Sequence, residues 1–157
     1  MEESDATYQR VLQKLEGIDY SQLQHPPTRT SEESAAYRGT TLASGAKAML
    51  IRSGNIFLLA VMAAHRKLDW KPLKRVVQSK NVRFATEEEV FSVTGCVPGA
   101  VPPFGSLFGL QTLVDVSLRE QGESINFNAG LRTQSVSMSY QAYEQLESPT
   151  LAEFTKA

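Results

Sequence analysis

Two apolar runs, residues 47–52 and 56–63, are separated by only Ser53-Gly54-Asn55. So short a gap between two stretches of strand length predicts a β-hairpin, with glycine supplying the positive φ that tight hairpin turns need. Neither run alternates polar and apolar residues, so both strands are expected at the centre of a sheet, covered on both faces. The longest apolar stretch, Ile56 to Ala64, has nine residues, far short of the roughly 20 that cross a bilayer. A membrane span is therefore excluded there, and the hairpin is the nucleus of a globular fold.

Helical signals surround it. Val11, Leu12 and Leu15 share one face of a segment from residue 5 to 16, with Gly17 as its stop. Thr30 with Glu33, and Thr86 with Glu89, have capping-box spacing and open helices running to Arg38 and Val93. Pro72 suits the first turn of a helix capped by Asp69, whose Leu73, Val76 and Val77 fall on one face. Residues 22–24, 81–84, 112–116, 125–127 and 135–138 read as further strands, and 140–146 as a last helix. The expectation is one α/β domain of the α+β type spanning residues 1–157, with a single, mainly antiparallel mixed sheet surrounded by helices. One cysteine, Cys96, permits no internal disulfide, and no Cys/His group has zinc spacing. Neither a structural metal nor a cofactor is expected. The start, Met1-Glu2-Glu3-Ser4-Asp5, lacks the basic and apolar stretches of a secretory signal, and a cytoplasmic location is expected.

The overall charge is −1, but it is unevenly spread. Residues 66–83 carry seven basic groups against the single acid Asp69, while the other 139 residues carry 9 basic and 16 acidic ones. A local charge of +6 over 18 residues can hold phosphate by counterion release, and Lys67, Lys71, Lys74, Arg75 and Lys80 are the candidates. A solvated helix face is the plain alternative. Next comes the most irregular segment. Between Gly95 and Gly105 stand three glycines and three prolines, which cannot continue a helix or sit in a central strand. Such a loop takes one stiff shape, and stiff loops often hold ligands.

Lys47 at a strand start, Leu68-Asp69 before the basic helix, Gly95, the run Gly99-Ala100-Val101-Pro102-Pro103-Phe104-Gly105, Asp115, and Asn128-Ala129-Gly130-Leu131-Arg132-Thr133 together carry a resemblance. In order and spacing they resemble the YbaK/ProX family, free-standing relatives of the prolyl-tRNA synthetase editing domain that hydrolyse mischarged aminoacyl-tRNAs. The resemblance runs from about Leu12 to Leu146. It implies a trans-acting deacylase that removes a small wrong amino acid of the Ala/Ser/Thr/Cys class. Mischarged tRNA, including tRNA with the proline anticodon, would be its partner, with an aminoacyl-tRNA synthetase as a further one and no membrane.

Such chemistry needs an oxyanion stabiliser, a positioned water and a grip on the tRNA 3′ end. Pro102 and Pro103 have no N–H, so the amides of Gly99, Ala100 and Val101 are the loop's donors. The resemblance makes Lys47 the characteristic functional residue, positioning the phosphate and ester rather than attacking. It places Asn128, Gly130, Arg132, His25 and Pro103 in substrate binding; for His25 a hydrogen-bonded loop histidine is the favoured alternative, and for Asn128 a strand-edge turn residue is an equal one. Asp115 is expected either to orient Lys47 or to cap the following turn, with the cap favoured. Cys96 lacks a neighbouring base or positive field and is not expected to be a nucleophile. Glu87-Glu88-Glu89 is explained as a helix first turn rather than a metal cluster.

Three positions depart from particular branches of the family. Ala48 follows the lysine where the alanine-clearing branch has Asn, Phe127-Asn128 stands near that branch's His, and Ser135 replaces the Asp of the cysteine-clearing branch. With no histidine at that place, water is the expected nucleophile and the tRNA's terminal hydroxyl the expected proton carrier. A non-catalytic module that uses the same groove to hold a tRNA end or a synthetase is the competing reading.

Overall fold

The computed structural model describes residues Met1–Ala157. In chain order the elements are α1 (Ala6–Lys14), β1 (Tyr20–Gln24), α2 (Ser31–Arg38), β2 (Ala46–Ser53), β3 (Ile56–Ala63), β4 (Lys67–Leu68), α3 (Trp70–Val77) and β5 (Val82–Phe84). They continue with α4 (Glu87–Thr94), β6 (Gln111–Asp115), α5 (Val116–Glu120), β7 (Ser124–Asn128), β8 (Gln134–Ser139), α6 (Tyr140–Glu147), β9 (Thr150–Ala152) and β10 (Thr155–Lys156).

The expected hairpin is present: β2 and β3 pair antiparallel from Ala46 opposite Ala63 to Ser53 opposite Ile56. Its two-residue turn has Gly54 at φ +59° in the first central position, where a side chain would be strained. The hairpin lies inside a five-stranded mixed sheet, β5-β2-β3-β6-β9, whose β3–β6 and β6–β9 pairs are parallel. A three-stranded antiparallel sheet, β1-β8-β7, stands beside it, joined through the bridge between Gly45 and Asn126. A two-stranded ribbon pairs β10 with β4. The mixed α/β architecture is as expected, but pairing divides the strands among three sheets. Pairing partners far apart in the chain carry no local signal, which is why β4, β9 and β10 were not legible.

The unbroken apolar character of β3 follows from burial on both sides. Leu59, Val61 and Ala63 enter the main core with Val11, Leu15, Phe104, Phe127 and Tyr143. Leu58, Ala60 and Met62 face the opposite way, into a smaller core with Ile51, Leu113, Phe154 and the fully buried Leu73 of α3. Each such leucine or phenylalanine contributes roughly 1.5–3 kcal/mol by leaving water. Leu73 therefore clamps α3 to the sheet while Lys71, Lys74 and Arg75 face solvent.

The caps follow the sequence with two refinements. Thr86 and Glu89 form the full reciprocal capping box. Thr30 accepts from the Glu33 amide, but the Glu33 carboxylate reaches past it to the amide of Arg29 at 2.9 Å, so the turn before α2 is fixed as well. Asp69 sits at the N-cap position of α3 without a side-chain bond to the helix.

Asp115 takes the structural role. Its carboxylate accepts from the Ser117 amide at 2.9 Å, capping α5, and from the Phe154 amide at 2.7 Å and the Thr155 hydroxyl at 2.9 Å. It ties the end of β6 to the C-terminal ribbon and does not touch Lys47. Burial pushes this carboxyl up, but the hydrogen bonds from Phe154, Ser117 and Thr155 together outweigh it and hold the group below its ordinary value. A depressed carboxyl adds stability in full above the unfolded value near pH 4, and that stability is lost as pH falls through the folded value. Asp115→Asn should therefore cost about 2 kcal/mol at neutral pH. Urea titrations at several pH values should show the gap to wild type closing below about pH 4; a gap that stays constant there would refute the assignment.

Candidate active site

The stiff loop resolves into defined parts. Pro98 and Gly99 are the central residues of a β-turn closed by the Ala100 amide donating to the Val97 carbonyl at 3.0 Å. Gly99 has φ +88°, and proline followed by glycine at positive φ is the signature of a type II turn. The turn is held from two sides: Asn128 donates from Nδ2 to the Gly99 carbonyl at 2.9 Å, and the Gly130 amide donates to the Ala100 carbonyl at 2.8 Å. Because the Ala100 amide closes the turn, it is removed from the set of expected oxyanion donors. The amides of Gly99 and Val101 have no acceptor within the protein.

Both residues line a cavity of about 150 Å³. One wall is the segment from Thr28 through α2 to Arg38, a second is Gly45–Met49 at the start of β2, and Asn128 completes it. Lys47 is half-buried there, its Nζ donating to the Arg66 carbonyl at 2.9 Å. Burial pushes its ammonium below the usual lysine value, and Glu32 pulls it partly back. No carboxylate lies within ion-pair distance of Lys47.

A second cation lines the same cavity: Arg38, on the facing wall, carries no sequence signal of a site role. Arg38 ends α2, where a basic residue is ordinarily explained by the helix dipole, so nothing in the sequence marked it. Its Nε donates to Ser135 Oγ at 2.8 Å and its NH2 to Asn128 Oδ1 at 2.9 Å. With no carboxylate partner, burial pushes its guanidinium down to about 10. The bonds form a directed chain. His25 Nδ1 lies 2.9 Å from the Pro26 carbonyl, which can only accept, so Nδ1 is a donor there, and Nε2 is hydrogen-bonded to Ser135 Oγ at 2.7 Å. Ser135 accepts from Arg38, Arg38 donates to Asn128, and Asn128 donates to Gly99. Ser135, noted above as a departure from the pattern of the cysteine-clearing branch, is thus the residue that anchors the arginine.

The remaining expectations fall away from the cavity wall. His25 is buried beneath the wall and supports Ser135. Pro103 is buried with its carbonyl accepting from Tyr143 Oη at 2.6 Å. Gly130 packs against the backbone of Thr7 and Tyr8. Arg132 pairs with Glu3 at 2.7 Å, tying down the N-terminus. These four, named for substrate binding, are not among the residues lining the cavity and hold the frame around it, because only the folded chain shows which side of a segment faces the cavity. Burial pushes the Cys96 thiol up, within the main core, as expected of an inert thiol. Of the basic segment, Arg66 is bound to Thr155 and Arg83 pairs with Glu89. Lys67, Lys71, Lys74, Arg75 and Lys80 remain exposed and without a carboxylate partner.

Comparison with known proteins identifies the family. The model of the aminoacyl-tRNA editing domain matches residues 25–146. The chain is 32% identical to the multifunctional Ser/Thr-tRNA deacylase ProXp-y of Escherichia coli K12, over 99% of this chain and 97% of that protein. It is 27% identical to the proline–tRNA ligase of Bacillus licheniformis, over 76% of this chain but 20% of the ligase. Among solved structures, a proposed trans-editing enzyme for prolyl tRNA synthetase superposes with a TM-score of 0.85 at 23% identity, covering 97% of this chain and 98% of that one. A family model that spans residues 25–146, with a relative 32% identical over nearly the whole chain, establishes that this protein belongs to the aminoacyl-tRNA editing domain family.

Proposed function

We propose that the protein is a trans-acting aminoacyl-tRNA deacylase acting in the cytoplasm, which hydrolyses the ester of tRNA carrying a small wrong amino acid. The observation that carries this reading is the cavity itself, lined both by two cations without carboxylate partners, Lys47 and Arg38, and by Gly99 and Val101 with their free amides. A volume of about 150 Å³ suits a small side chain; a cavity of that order holds a single benzene. Water adds to the ester carbonyl carbon, and the oxyanion accepts from Gly99 and Val101. The carbon–oxygen bond to the terminal ribose then breaks, and the proton lost by water reaches the leaving oxygen through the neighbouring ribose hydroxyl. The related ProXp-y is named for Ser/Thr-tRNA deacylation, which supports the small-residue class.

The basic segment begins at Arg66, whose carbonyl accepts from Lys47, and its exposed lysines follow it along the chain. They would carry the acceptor stem of the tRNA, with a prolyl-tRNA synthetase the natural donor of the mischarged species. A panel of tRNA with the proline anticodon, charged separately with Ala, Ser, Thr, Cys and Pro, tests the whole reading. One or more small residues should be released quickly and proline spared, and tRNA ending in 2′-deoxyadenosine should be deacylated at least tenfold more slowly. Neutralising Lys74 and Arg75 together should weaken tRNA binding and lower its salt slope by about two. If no ester turned over while tRNA still bound, the competing role as a binding module would replace this one.

A further inference from the structure

The cavity wall formed by the start of α2 contains a feature that ester hydrolysis itself does not use. Thr28 and Ser34 are 3% and 4% exposed, and their hydroxyl oxygens lie 2.7 Å apart, both on residues lining the cavity. Two hydroxyls joined by one hydrogen bond hold one further proton, and neither has another partner in the protein. Each hydroxyl thus has the other as its partner, and the pair keeps one further O–H and lone pairs that no protein atom takes, on residues that line the cavity. It is also rigidly held. Thr30 caps α2 through the Glu33 amide, and Glu33 grips the Arg29 amide between the two residues. Nearby on the same lining, Ala35, Leu42, Met49 and Val101 are apolar and can meet only methyl or methylene groups.

We propose that Thr28 and Ser34 receive the side-chain hydroxyl of a seryl or threonyl ester and so set the amino-acid specificity of this site. The inference rests on the deacylase reading above and deepens it. A substrate hydroxyl can accept the remaining O–H and donate to a lone pair at once, adding two hydrogen bonds to the one the pair already makes. An alanyl or cysteinyl group fills similar space but lacks the hydroxyl that makes them. Sites built to hydrogen-bond a hydroxyl reject the analogue without it far more strongly than apolar pockets reject an extra methylene.

The test measures kcat/KM of the purified protein on seryl-, threonyl- and alanyl-tRNA with the same tRNA body, for wild type, Ser34→Ala, Thr28→Val and Thr28→Ser. Ser34→Ala and Thr28→Val should each lower the preference for seryl over alanyl ester by about tenfold, with the loss falling on the seryl ester. Thr28→Ser, which keeps the hydroxyl, should retain most of the preference. Ser34→Ala removes one oxygen and raises helix propensity, so the fold is not at stake. Seryl ester turned over with an unchanged Ser/Ala ratio in both hydroxyl-deleted variants would overturn the specificity assignment alone. A wild-type protein that turned over none of the esters would overturn the deacylase reading, and this assignment with it.

Discussion

Replacing Lys47 by alanine slows deacylation about 100-fold in the expected outcome, while tRNA affinity changes by less than about threefold. The ammonium sits half-buried in the cavity, held by the Arg66 carbonyl and by no carboxylate. Its charge is therefore available to a substrate that gains negative charge on its carbonyl oxygen, in surroundings where water screens poorly. Removing one preorganised group that meets a developing oxyanion typically costs two to three orders of magnitude. Binding relies instead on the exposed basic residues of the 67–80 segment, several of which remain. Lys47→Met keeps most of the side-chain volume and should lose as much activity as alanine does, separating charge from packing. Single-turnover rates and filter binding on one charged tRNA decide the matter. Rates within threefold of wild type in both variants would remove Lys47 from the reaction.

Gly130→Ala is expected to destabilise the fold by about 3 kcal/mol, read as a lower urea midpoint with an unchanged slope. Gly130 has φ +97°, and an added Cβ would lie 2.8 Å from the Tyr8 amide nitrogen and 3.2 Å from two atoms of Thr7. Those are largely main-chain atoms at the start of α1, which cannot rotate aside as a side-chain tip would. The same residue donates its amide to the Ala100 carbonyl and so braces the turn beneath the free amides. A midpoint that moved by less than the equivalent of about 1 kcal/mol would show that α1 yields at this contact. The glycine singled out for touching substrate is thus a packing residue whose effect on the site is indirect.

Much of the molecule was legible in the chain because its signals are local. The two apolar runs around Gly54 specify their hairpin through turn geometry and through β3's need for cover on both faces. Thr30 and Thr86 mark helix starts because such caps are made by residues three apart. The proline- and glycine-rich loop and Lys47 were identified, and so was the inert setting of Cys96. Short elements such as β4, β9 and β10 escaped, since two or three residues show no periodicity. So did α5: Asp115 ends β6 and caps that helix, and the sequence alone does not tell a strand's last residue from a helix's cap.

The division at the site has a single physical origin. Residue types, spacing and backbone constraints are properties of the chain, and they were enough to assign the fold class, the stiff loop, the family and the charged segment. Direction is a property of the packed molecule. Only the folded chain turns the Ala100 amide inward to close its turn while leaving those of Gly99 and Val101 free. Only there do Arg38 and Asn128, 90 residues apart, meet at 2.9 Å, and do Thr28 and Ser34 close a buried hydroxyl pair. Side chains from distant segments converge because burial of the two cores fixes the sheets against the helices, and no local pattern encodes that convergence.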